Sequence, residues 1–425
     1  MRITSYLRDG RLDAHACDAI DPLCAGLRAE LAALTALPTA ALLDLFDAFA
    51  GRIVADERTR GIEGLSFLAT WLRRSNLESL LNLNLNGTHA CLDGFRPLGS
   101  RSFIKAQPAG LVCQWLAGNV PTLAFFSLVP SLLARNPTLV KLALPDQPET
   151  LALLSVLGDT DGGGCTGAQL LRAVRVVYFD YTHADLNEQM SLNADCKVMW
   201  GGEAAIRGIT SLPRHEHCTE LVFGPKYSIG VVGRREDAAP DRLRRTAQAL
   251  ARDVAVFDQR ACSSPQTVFV EGGAGAARAF AEALAGELDR LPPKRTCDAY
   301  TAVQIMNARA RYGMDESRGL IQSGRGNDWT ICIDPEVGFK DAVQSRTIFL
   351  VPVDSWEEVV PLVNPKIQTI GIDFGDEAEA LRFAGAATLR GAVRCVRFGL
   401  MNVYESPWDG KLMVGQLVRW VVCKP

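Results

Sequence analysis

The sequence predicts an α/β protein built on parallel sheets, and three observations carry that prediction. Short, continuous apolar runs of strand length alternate with segments whose apolar residues recur at helical spacing. Short joints connect the two kinds of segment, as expected for βαβ units. The chain has 425 residues, enough for two or three domains, and no Pro/Ser-rich linker or repeat divides it. Two closely packed domains are therefore expected.

The first hundred residues read as mostly helical. The segment "PTAALLDLFDAFAGRIVAD" offers Thr39 as a helix cap, and its apolar residues from Leu42 to Ile53 fall on one face. The segment "GLSFLATWLRRSNLESLLN" continues the same pattern. Helices are therefore expected before the first sheet.

A charge-free stretch from Ala106 to Ala134 imitates a membrane span in composition. Gly110, Pro121 and Pro130 interrupt it, and a lipid-exposed helix would tolerate these residues poorly. We predict instead a buried strand "GLVCQWLAG", a turn, and a helix "NVPTLAFFSLVPSLLARN" with Pro121 in its first turn. The segment "PTLVKLALP" is then a second strand, and no membrane span is expected.

The same alternation continues towards the C-terminus. A further unit runs through "RAVRVVYFD", "THADLNEQMSLN", "CKVMW" and "GGEAAIRGI", and near residue 226 a new one begins with "YSIGVVG", "DAAPDRLRRTAQALARDVAVF" and "QTVFVE". These segments predict a first domain over residues 1–226 and a second over residues 227–400. Residues 401–425 are expected to return to the first domain or to form an oligomer contact.

Composition excludes several classes of function. The chain carries 45 Lys and Arg against 48 Asp and Glu, with no basic stripe, so nucleic acid is not an expected partner. The N-terminal "MRITSYLRDG" lacks the apolar run of a signal peptide. Twelve scattered cysteines without a C-x-x-C pair give no zinc motif and favour a reducing cytoplasm. A cytoplasmic protein without a bound metal is expected.

Two short segments imitate ligand-binding motifs. The segment "EGGAGAAR" resembles the start of a dinucleotide fingerprint, but Arg278 occupies the third glycine position, so we interpret it as a turn. The segment "RHEHC" contains His215, His217 and Cys218. Because no second pair of ligands accompanies it, we expect a surface segment rather than a metal site.

Two polar residues carry candidate catalytic chemistry. Cys262 lies in the turn "FDQRACSSPQ", two residues after Arg260, where a reachable and partly deprotonated thiol can act as a nucleophile. An ordinary turn cysteine is the alternative. Asn119 in "LAGNVP" lies where a strand gives way to a helix, a place that suits stabilisation of an oxyanion. A helix-capping asparagine is the alternative.

Two further places favour ligand binding. Lys141 lies inside the apolar strand of "LVKLALP", so its ammonium either reaches solvent at the strand end or meets a polar ligand. Ligands of open α/β sheets gather at the carboxyl ends of the strands. Gly201 and Gly202 in "MWGGEAAI" lie between a strand and a helix, where the backbone can approach a phosphate or a nicotinamide closely. Two glycines alone are weak evidence.

Taken in order and spacing, these motifs resemble a known family. The segments "GLVCQWLAGNVP", "LVKLALP", "DCKVMWGGEAAI", "LVFGPKYSIGVV", "FDQRACSSPQTVFVE" and "ESPWDGKLMVGQLVRWV" are similar to the long-chain acyl-CoA reductase family, a branch of the aldehyde dehydrogenase superfamily. That family supplies fatty aldehyde in bacterial bioluminescence. The resemblance covers residues 100–425 and implies an aldehyde-dehydrogenase-like fold, with a Rossmann-like cofactor domain and a catalytic domain.

The resemblance also implies roles for the candidate residues. Cys262 matches the superfamily's nucleophile, and Asn119 matches the asparagine that forms the oxyanion hole with the nucleophile's own N–H. Lys141 matches the lysine that contacts the adenosine ribose. Gly202, with Gly201 beside it, falls on the loop near the nicotinamide side of the nucleotide.

Three departures from the superfamily pattern narrow the reaction. Val222 in "LVFGP" replaces the glutamate that activates water in aldehyde-oxidising members, which favours a thioester reductase. Leu144 replaces the glutamate that binds the ribose hydroxyls in many NAD-preferring members, which favours NADPH. Thr347 in "TIFLVP" replaces the glutamate that holds the nicotinamide ribose, so that contact stays unassigned.

We therefore expect an NADPH-dependent reductase that converts the acyl thioester of CoA or of a carrier protein to an aldehyde, through an acyl-enzyme on Cys262. A homo-oligomer is expected. Two alternatives stay open. One is a cysteine acyltransferase or thioesterase that uses no nicotinamide, and the other is a catalytically silent binding subunit on the same fold.

Overall fold

The computed structural model describes residues 2–234, 240–294 and 297–425, and the chain forms two compact units. The first unit comprises the chain up to Gly224 together with Tyr404–Pro425, and the second is Pro225–Val403. Each unit contains a seven-stranded sheet. The predicted α/β class is confirmed.

The secondary structure of the described residues follows, in chain order. The strands are β1 (Ile3–Arg8), β2 (Arg11–Cys17), β3 (Arg96–Gly99), β4 (Ser102–Pro108), β5 (Val112–Trp115), β6 (Thr138–Lys141), β7 (Asp161–Gly162), β8 (Cys165–Thr166), β9 (Val174–Tyr178), β10 (Cys196–Trp200), β11 (Thr219–Phe223), β12 (Tyr227–Val232), β13 (Pro265–Glu271), β14 (Gly319–Gln322), β15 (Thr330–Ile333), β16 (Thr347–Val353), β17 (Ile367–Asp373), β18 (Arg394–Arg397) and β19 (Val418–Cys423). The α-helices are α1 (Asp21–Ala29), α2 (Leu31–Thr35), α3 (Thr39–Ala55), α4 (Leu65–Trp71), α5 (Arg74–Asn84), α6 (Leu123–Leu133), α7 (Pro148–Gly158), α8 (Gly167–Leu171), α9 (Ala184–Asn193), α10 (Glu203–Thr210), α11 (Pro240–Ala255), α12 (Gly273–Asp289), α13 (Ala299–Gly313), α14 (Glu377–Leu389) and α15 (Met413–Gln416).

The sheet of the first unit has the order β11-β10-β5-β6-β9-β1-β2, and the strands from β11 to β9 are parallel. The chain runs outward from β5 through β6 to β9, then returns to β10 and β11 on the other side of β5. Helices α6 and α7 pack on one face, and α1 and α9 on the other. The loops after β5 and β10 therefore diverge at the carboxyl edge, the place where open α/β sheets bind ligands.

The first seventeen residues are a β-hairpin, so the expectation of helices was wrong there. Strand β1 pairs with β9 and extends the sheet, and β2 pairs with β1. Asp9 and Gly10 connect the two strands with φ angles of 50° and 80°. Two left-handed residues in a two-residue loop define the type I′ turn, for which Asp-Gly is a preferred sequence. That dipeptide between two short runs was the missed signal.

The predicted helical face of α3 is confirmed, but its cap is not Thr39. The apolar residues from Leu42 to Ile53 on that face are buried. The helix begins at Thr39 itself, and the Asp93 carboxylate accepts hydrogen bonds from the Thr39 N–H at 2.9 Å and from its hydroxyl at 3.0 Å. The cap is thus supplied by a residue distant in sequence.

The charge-free stretch forms a strand, a turn and a helix, as predicted. It contains β5 and α6, and α6 begins two residues after Pro121 rather than around it. In the described part of the chain, no single helix combines the length and apolar composition of a membrane span. One pair of helices, Asp21–Thr35 and Thr39–Ala55, meets those criteria only jointly and is bent by 106°.

A smaller, three-stranded sheet of order β19-β4-β3 completes the first unit. Strand β19 pairs antiparallel with β4, from Val418 opposite Pro108 to Cys423 opposite Phe103. The last residues of the chain are therefore joined to residues that precede β5, and they belong to the first unit.

The sheet of the second unit has the order β14-β15-β16-β13-β12-β17-β18, and all its strands except β14 are parallel. The predicted strands "YSIGVVG" and "QTVFVE" are β12 and β13. The predicted helix between them is described from Pro240 onwards, and residues 237–239 lie outside the described residues. The Cys262 turn immediately precedes β13, so it lies at the amino edge of this sheet.

Candidate active site

Lys141 is the last residue of β6 and lies at the carboxyl edge of the first sheet. Its side chain is only 9% exposed, and Nζ lies 4.8 Å from the centroid of the Phe179 ring and 6.0 Å from that of Tyr178. Within the described ranges, Nζ has no hydrogen bond and no ion pair. Burial lowers the pKa of the Lys141 ammonium, and the negative charge of Asp180 opposes that shift.

A second buried lysine in the same sheet shows what a structural lysine looks like. Lys197 on β10 is fully buried, and its Nζ lies 3.3 Å from the Glu220 carboxylate on β11. Glu220 also lies 3.4 Å from Arg214. Buried charges are ordinarily paired, as Lys197 is. Lys141 is therefore a buried cation whose surroundings suit an anionic or hydroxyl-bearing ligand.

Asn119 lies on the loop between β5 and α6, beside the loop that follows β6. The N-cap position of α6 is Thr122, three residues after Asn119, so the capping alternative for Asn119 is wrong. A Cβ placed on Gly118 would lie 3.3 Å from the Ala143 Cβ and 3.4 Å from the Leu144 Cδ1. The loop of Asn119 and the loop of Lys141 are therefore in contact, and the Asn119 side chain is exposed beside them.

Gly201 and Gly202 connect β10 to α10. A Cβ on Gly201 would lie 3.2 Å from the Ala205 Cβ, whereas a Cβ on Gly202 would meet nothing within 4 Å. The φ angle of Gly202 is −71°, which any residue can adopt. Neither conformation nor internal packing therefore requires glycine at position 202. The space beside Gly202 is open, as a close approach of ligand to backbone would require.

The surroundings of Lys141 include Leu144 and Asp180. Leu144 is 56% exposed just beyond Lys141. The Asp180 carboxylate accepts hydrogen bonds from the Thr182 N–H at 2.9 Å and from its hydroxyl at 2.6 Å, and these bonds lower the pKa of Asp180. The Asp180 carboxylate, whose charge acts on Lys141, is therefore hydrogen-bonded within its own turn.

Cys262 in the second unit follows a strained segment. Phe257, Asp258 and Gln259 have φ angles of 56°, 49° and 61°. Three consecutive left-handed residues without glycine are costly and persist only where their surroundings enforce them. The Gln259 carboxamide supplies part of that enforcement, because Nε2 donates to the Pro265 carbonyl at 2.8 Å and to the Thr347 carbonyl at 3.1 Å.

A second left-handed turn packs against the first. Gln344, Ser345 and Arg346 have φ angles of 64°, 56° and 57°. The Ser345 N–H donates to the Asp258 carbonyl at 3.1 Å, and the Ser345 hydroxyl donates to the Asp258 carboxylate at 3.1 Å. Lys294 Nζ in turn donates to the Ser345 hydroxyl. Each left-handed turn therefore supports the other, and together they fix the approach to Cys262.

The Cys262 carbonyl and the residue after it are held by buried side chains. The hydroxyl of the fully buried Ser228 donates to the Cys262 carbonyl at 2.7 Å and accepts from the Thr369 N–H at 3.1 Å. The next residue, Ser263, donates to Asn402 Oδ1 at 2.8 Å. Cys262 itself is half-buried. Burial raises the pKa of the core thiol Cys332 to about 12, which makes that thiol inert.

The structure shows what surrounds Val222 and Thr347, two residues that depart from the superfamily pattern. Val222 on β11 packs at an apolar core, and its side chain offers no proton acceptor. Thr347 begins β16 and is fully buried. Among the described residues, its hydroxyl has no hydrogen-bond partner. A buried hydroxyl of this kind can receive or donate a bond when a polar ligand is present.

The segments "EGGAGAAR" and "RHEHC", which imitate ligand-binding motifs in sequence, do not have the structure of a ligand site. Strand β13 ends at Glu271, and Gly272 and Gly273, with φ angles of 113° and 75°, turn the chain into α12, which begins at Gly273. In "RHEHC", His215 and His217 are exposed and Cys218 is buried. Among residues 2–234, 240–294 and 297–425, no group of three His, Cys, Asp or Glu side chains is arranged to hold a metal.

Sequence reasoning missed the residues that hold the Cys262 turn. Ser228, Ser345, Asn402 and Lys294 come from distant parts of the chain and carry no local motif. Ser228 precedes Cys262 by 34 residues, and Asn402 follows Ser263 by 139. Only the folded sheet of the second unit brings them to its amino edge.

Two largely parallel seven-stranded sheets with helices, and one small antiparallel sheet, can be compared with solved structures. Aldehyde dehydrogenase 21 from Physcomitrella patens, solved with succinate, matches 99% of this chain and 97% of its own, with a TM-score of 0.71 and 11% identity. An NADP-dependent glyceraldehyde-3-phosphate dehydrogenase from Bacillus halodurans, solved with NADP, matches 99% and 95%, with a TM-score of 0.67 and 14% identity. The predicted fold is confirmed.

The model of the acyl-CoA reductase (LuxC) family matches residues 50–420, and the chain belongs to this family of enzymes. The long-chain acyl-protein thioester reductase of Aliivibrio fischeri is 27% identical over 360 residues, which cover 82% of this chain and 70% of the relative. Long-chain acyl-protein thioester reductase 2 of Photobacterium leiognathi is 26% identical over 357 residues, covering 82% and 70%. The predicted resemblance is confirmed, and it begins near residue 50 rather than near residue 100.

Proposed function

We propose that this enzyme reduces an acyl thioester to the aldehyde with NADPH, through an acyl group held on Cys262. Membership of the acyl-CoA reductase family and relatives named for acyl-protein thioester reduction support the reaction class. The observation that carries the mechanism is the Cys262 turn, a half-buried thiol on a strained segment fixed by Ser228 and Ser345. Strain of this kind concentrates at functional sites.

In the first step, the Cys262 thiolate attacks the thioester carbonyl carbon. The bond between that carbon and the donor sulfur breaks, and the CoA or carrier thiol leaves. We propose that the Asn119 carboxamide and the Cys262 N–H donate to the oxyanion that develops on the carbonyl oxygen. One such donor contributes about 3–4 kcal/mol in comparable sites. The acyl group is then a thioester of Cys262.

The second step consumes that thioester. When bound, a reduced nicotinamide would supply hydride for the acyl carbon and would itself be oxidised. Lys141 and the Gly201–Gly202 loop would hold the nucleotide at the carboxyl edge of the first sheet, where Lys141 has no other partner among the described residues. The bond to Cys262 then breaks, Cys262 leaves as the thiolate, and the aldehyde is free.

Whether water attacks the Cys262 thioester before hydride does distinguishes a hydrolase from a reductase. The position of the water-activating glutamate holds Val222, whose side chain packs at an apolar core. Without a carboxylate there, water near the acyl group is not deprotonated, and the Cys262 thioester persists until it is reduced. The thioesterase alternative therefore lacks its base at this position.

NADPH is the proposed cofactor. Leu144 places no carboxylate after Lys141, at the position where many NAD-preferring members of the superfamily carry a glutamate, and this supports NADPH. The fold relative from Bacillus halodurans was solved with NADP. Titration of the protein with NADPH and with NADH, followed by nicotinamide fluorescence, should give the tighter dissociation constant for NADPH. Equal or tighter binding of NADH would contradict this proposal.

The acyl donor is either acyl-CoA or an acylated carrier protein. The relatives are named for acyl-protein thioesters, whereas the family model is named for acyl-CoA. A panel of both donors, matched in acyl chain, is the test. Donor-dependent loss of NADPH absorbance with equimolar aldehyde is expected. An acyltransferase or thioesterase would consume the donor without NADPH, and a silent binding subunit would consume neither.

We also propose a homo-oligomer in the cytoplasm. Strand β19 is an edge of the three-stranded sheet, and its Trp420 and Val422 side chains are 38% and 52% exposed. An unpaired edge with exposed apolar side chains favours pairing with another chain. All twelve cysteines are free thiols, in keeping with a reducing compartment. Light scattering should give a multiple of the 46.1 kDa chain mass, and a monomer at assay concentration would contradict the proposal.

A further inference from the structure

The loop from Gly399 to Val403, between β18 and the end of the second unit, is held by a buried arginine. Arg394 on β18 is 9% exposed. Its guanidinium donates to the carbonyl of Met401 at 2.9 Å, to that of Val403 at 3.0 Å and to that of Leu400 at 3.1 Å. The carbonyl side of this loop is therefore fixed by one side chain.

A buried aspartate holds the N–H side of the same loop. Asp253 on α11 is 2% exposed, and its carboxylate accepts from the Gly399 N–H at 2.5 Å and from the Met401 N–H at 3.2 Å. Burial raises the pKa of Asp253 to about 7, while the two N–H donors and the charge of Arg394 lower it. An ionisable group in such a place is costly, so its retention calls for a reason beyond filling space.

Asn402 transmits this arrangement to the nucleophile turn. Its Nδ2 donates to the main-chain carbonyl of Asp253 at 2.9 Å. Its Oδ1 accepts from the Ser263 hydroxyl at 2.8 Å and from the Ser264 hydroxyl at 3.3 Å. One carboxamide thus connects α11 to the two residues that directly follow Cys262.

We propose that Asp253 and Asn402 are positioning residues, which set the orientation of the Cys262 peptide through the Gly399–Val403 loop and the Ser263 and Ser264 hydroxyls. This inference rests on the proposed function, in which the Cys262 N–H donates to the oxyanion. An oxyanion donor must be aligned to within a fraction of an ångström, and misplacement by about 1 Å costs on the order of a hundredfold in rate. Both residues are buried, so in this proposal neither contacts the substrate.

The test separates alignment of the peptide from access to the thiol. Wild type, Asn402→Ala, Asp253→Ala and Asp253→Asn are each treated with acyl-CoA and, separately, with iodoacetamide. Acylation of Cys262 uses the oxyanion donor, whereas alkylation needs only a reachable thiolate. Mass spectrometry gives both rates. Asn327→Ala is the control, because Asn327 accepts a hydrogen bond from Arg309 in the same unit and touches none of this network.

We expect Asn402→Ala and Asp253→Ala to acylate about tenfold to a hundredfold more slowly than wild type, with alkylation changed less than about threefold. Asp253→Asn keeps one acceptor oxygen and should fall between Asp253→Ala and wild type. Asn327→Ala should match wild type in both assays. Circular dichroism of each variant checks that it has folded.

Four outcomes would overturn the inference. Unchanged acylation in folded Asn402→Ala shows that the network does not align the peptide. Equal losses of acylation and alkylation, or a loss in Asp253→Asn as large as in Asp253→Ala, show a merely structural role. Wild type that is never acylated, although iodoacetamide alkylates it, contradicts the proposed function first and this inference with it.

Discussion

The candidate site residues lie at opposite edges of the two sheets. In the first unit, Lys141, Asn119 and Gly202 are at or just beyond the carboxyl ends of parallel strands. In the second unit, Cys262 precedes β13 at the amino end. The first edge offers an ammonium without a partner among the described residues and a glycine with open space beside it. The Cys262 backbone and its neighbours are instead held by buried hydrogen bonds.

This difference matches a division of roles between ligand binding in the first unit and nucleophilic attack in the second. A binding edge is built by leaving polar groups and space for a ligand, so substitutions there should change affinity and leave stability unaffected. A nucleophile turn is built by fixing every group around the thiol, so substitutions there should change rates and stability together.

Asn119→Ala should slow acylation of Cys262 by about a hundredfold to a thousandfold, because one oxyanion donor is lost. Its midpoint of thermal unfolding should stay near that of wild type, since the Asn119 side chain is exposed. Single-turnover acylation with acyl-CoA measures the rate. A variant that acylates at the wild-type rate would remove Asn119 from the mechanism.

The two buried lysines provide a matched pair. Lys197→Met leaves the half-buried Glu220 with only Arg214 nearby, and it should lower the free energy of unfolding by about 1–3 kcal/mol. Lys141→Met removes an unpaired buried charge, so its stability should equal or exceed that of wild type. NADPH should bind Lys141→Met about tenfold to a hundredfold more weakly, because a charge-assisted hydrogen bond is lost. Urea unfolding and cofactor titration measure the two effects. Similar stability losses in both variants would contradict the distinction.

Asp253 should make stability depend on pH. Its folded pKa of about 7 lies above the unfolded value of 3.8, so the native state holds a proton that the unfolded state releases. Stability is therefore greatest below the unfolded pKa and falls as pH rises through 7. Between about pH 5 and about pH 8, wild type should lose about 2 kcal/mol relative to Asp253→Asn. A constant difference between the two proteins across this range in urea unfolding would contradict the raised pKa. Arg394 is the charged group that faces Asp253.

Gly202→Ala should show the smallest effect. No protein atom lies within 4 Å of the added Cβ, so the variant should unfold like wild type. Its affinity for NADPH should fall by about tenfold, because the methyl group occupies space beside the bound nucleotide. Gly208→Ala on α10, which also has open space around its Cβ, is the control and should bind normally. An unchanged dissociation constant for Gly202→Ala would place the nucleotide elsewhere.

Much of the fold was readable because hydrophobic spacing reports local structure. Strands β5, β6, β10, β12 and β13 correspond to apolar runs, and the buried face of α3 followed from helical spacing. The N-terminal hairpin was misread, although Asp9-Gly10 was present as a signal. The cap of α3 was not readable, since it comes from Asp93, which lies 54 residues away.

The candidate site was predictable in part. The carboxyl-edge rule pointed to Lys141 and Gly202, because it links strand ends to ligand positions. No such rule covers the amino edge, where Cys262 lies. The local turn made that cysteine a candidate with an ordinary turn cysteine as the alternative, and the family resemblance favoured the nucleophile. Its support by Ser228, Asp253 and Asn402 depends on which strands are neighbours, which spacing along one chain does not encode. The roles of these residues stay predictions.

The central claim is that Cys262 holds the acyl group between transfer and reduction, and mass spectrometry of the intact protein tests it most directly. With acyl-CoA alone, the chain should gain one acyl mass, and digestion should place that mass on Cys262. Addition of NADPH should remove the mass and release one equivalent of aldehyde. Cys297→Ala, which replaces another half-buried cysteine, should behave like wild type. A Cys262→Ala variant that still forms aldehyde from acyl-CoA and NADPH would contradict the account.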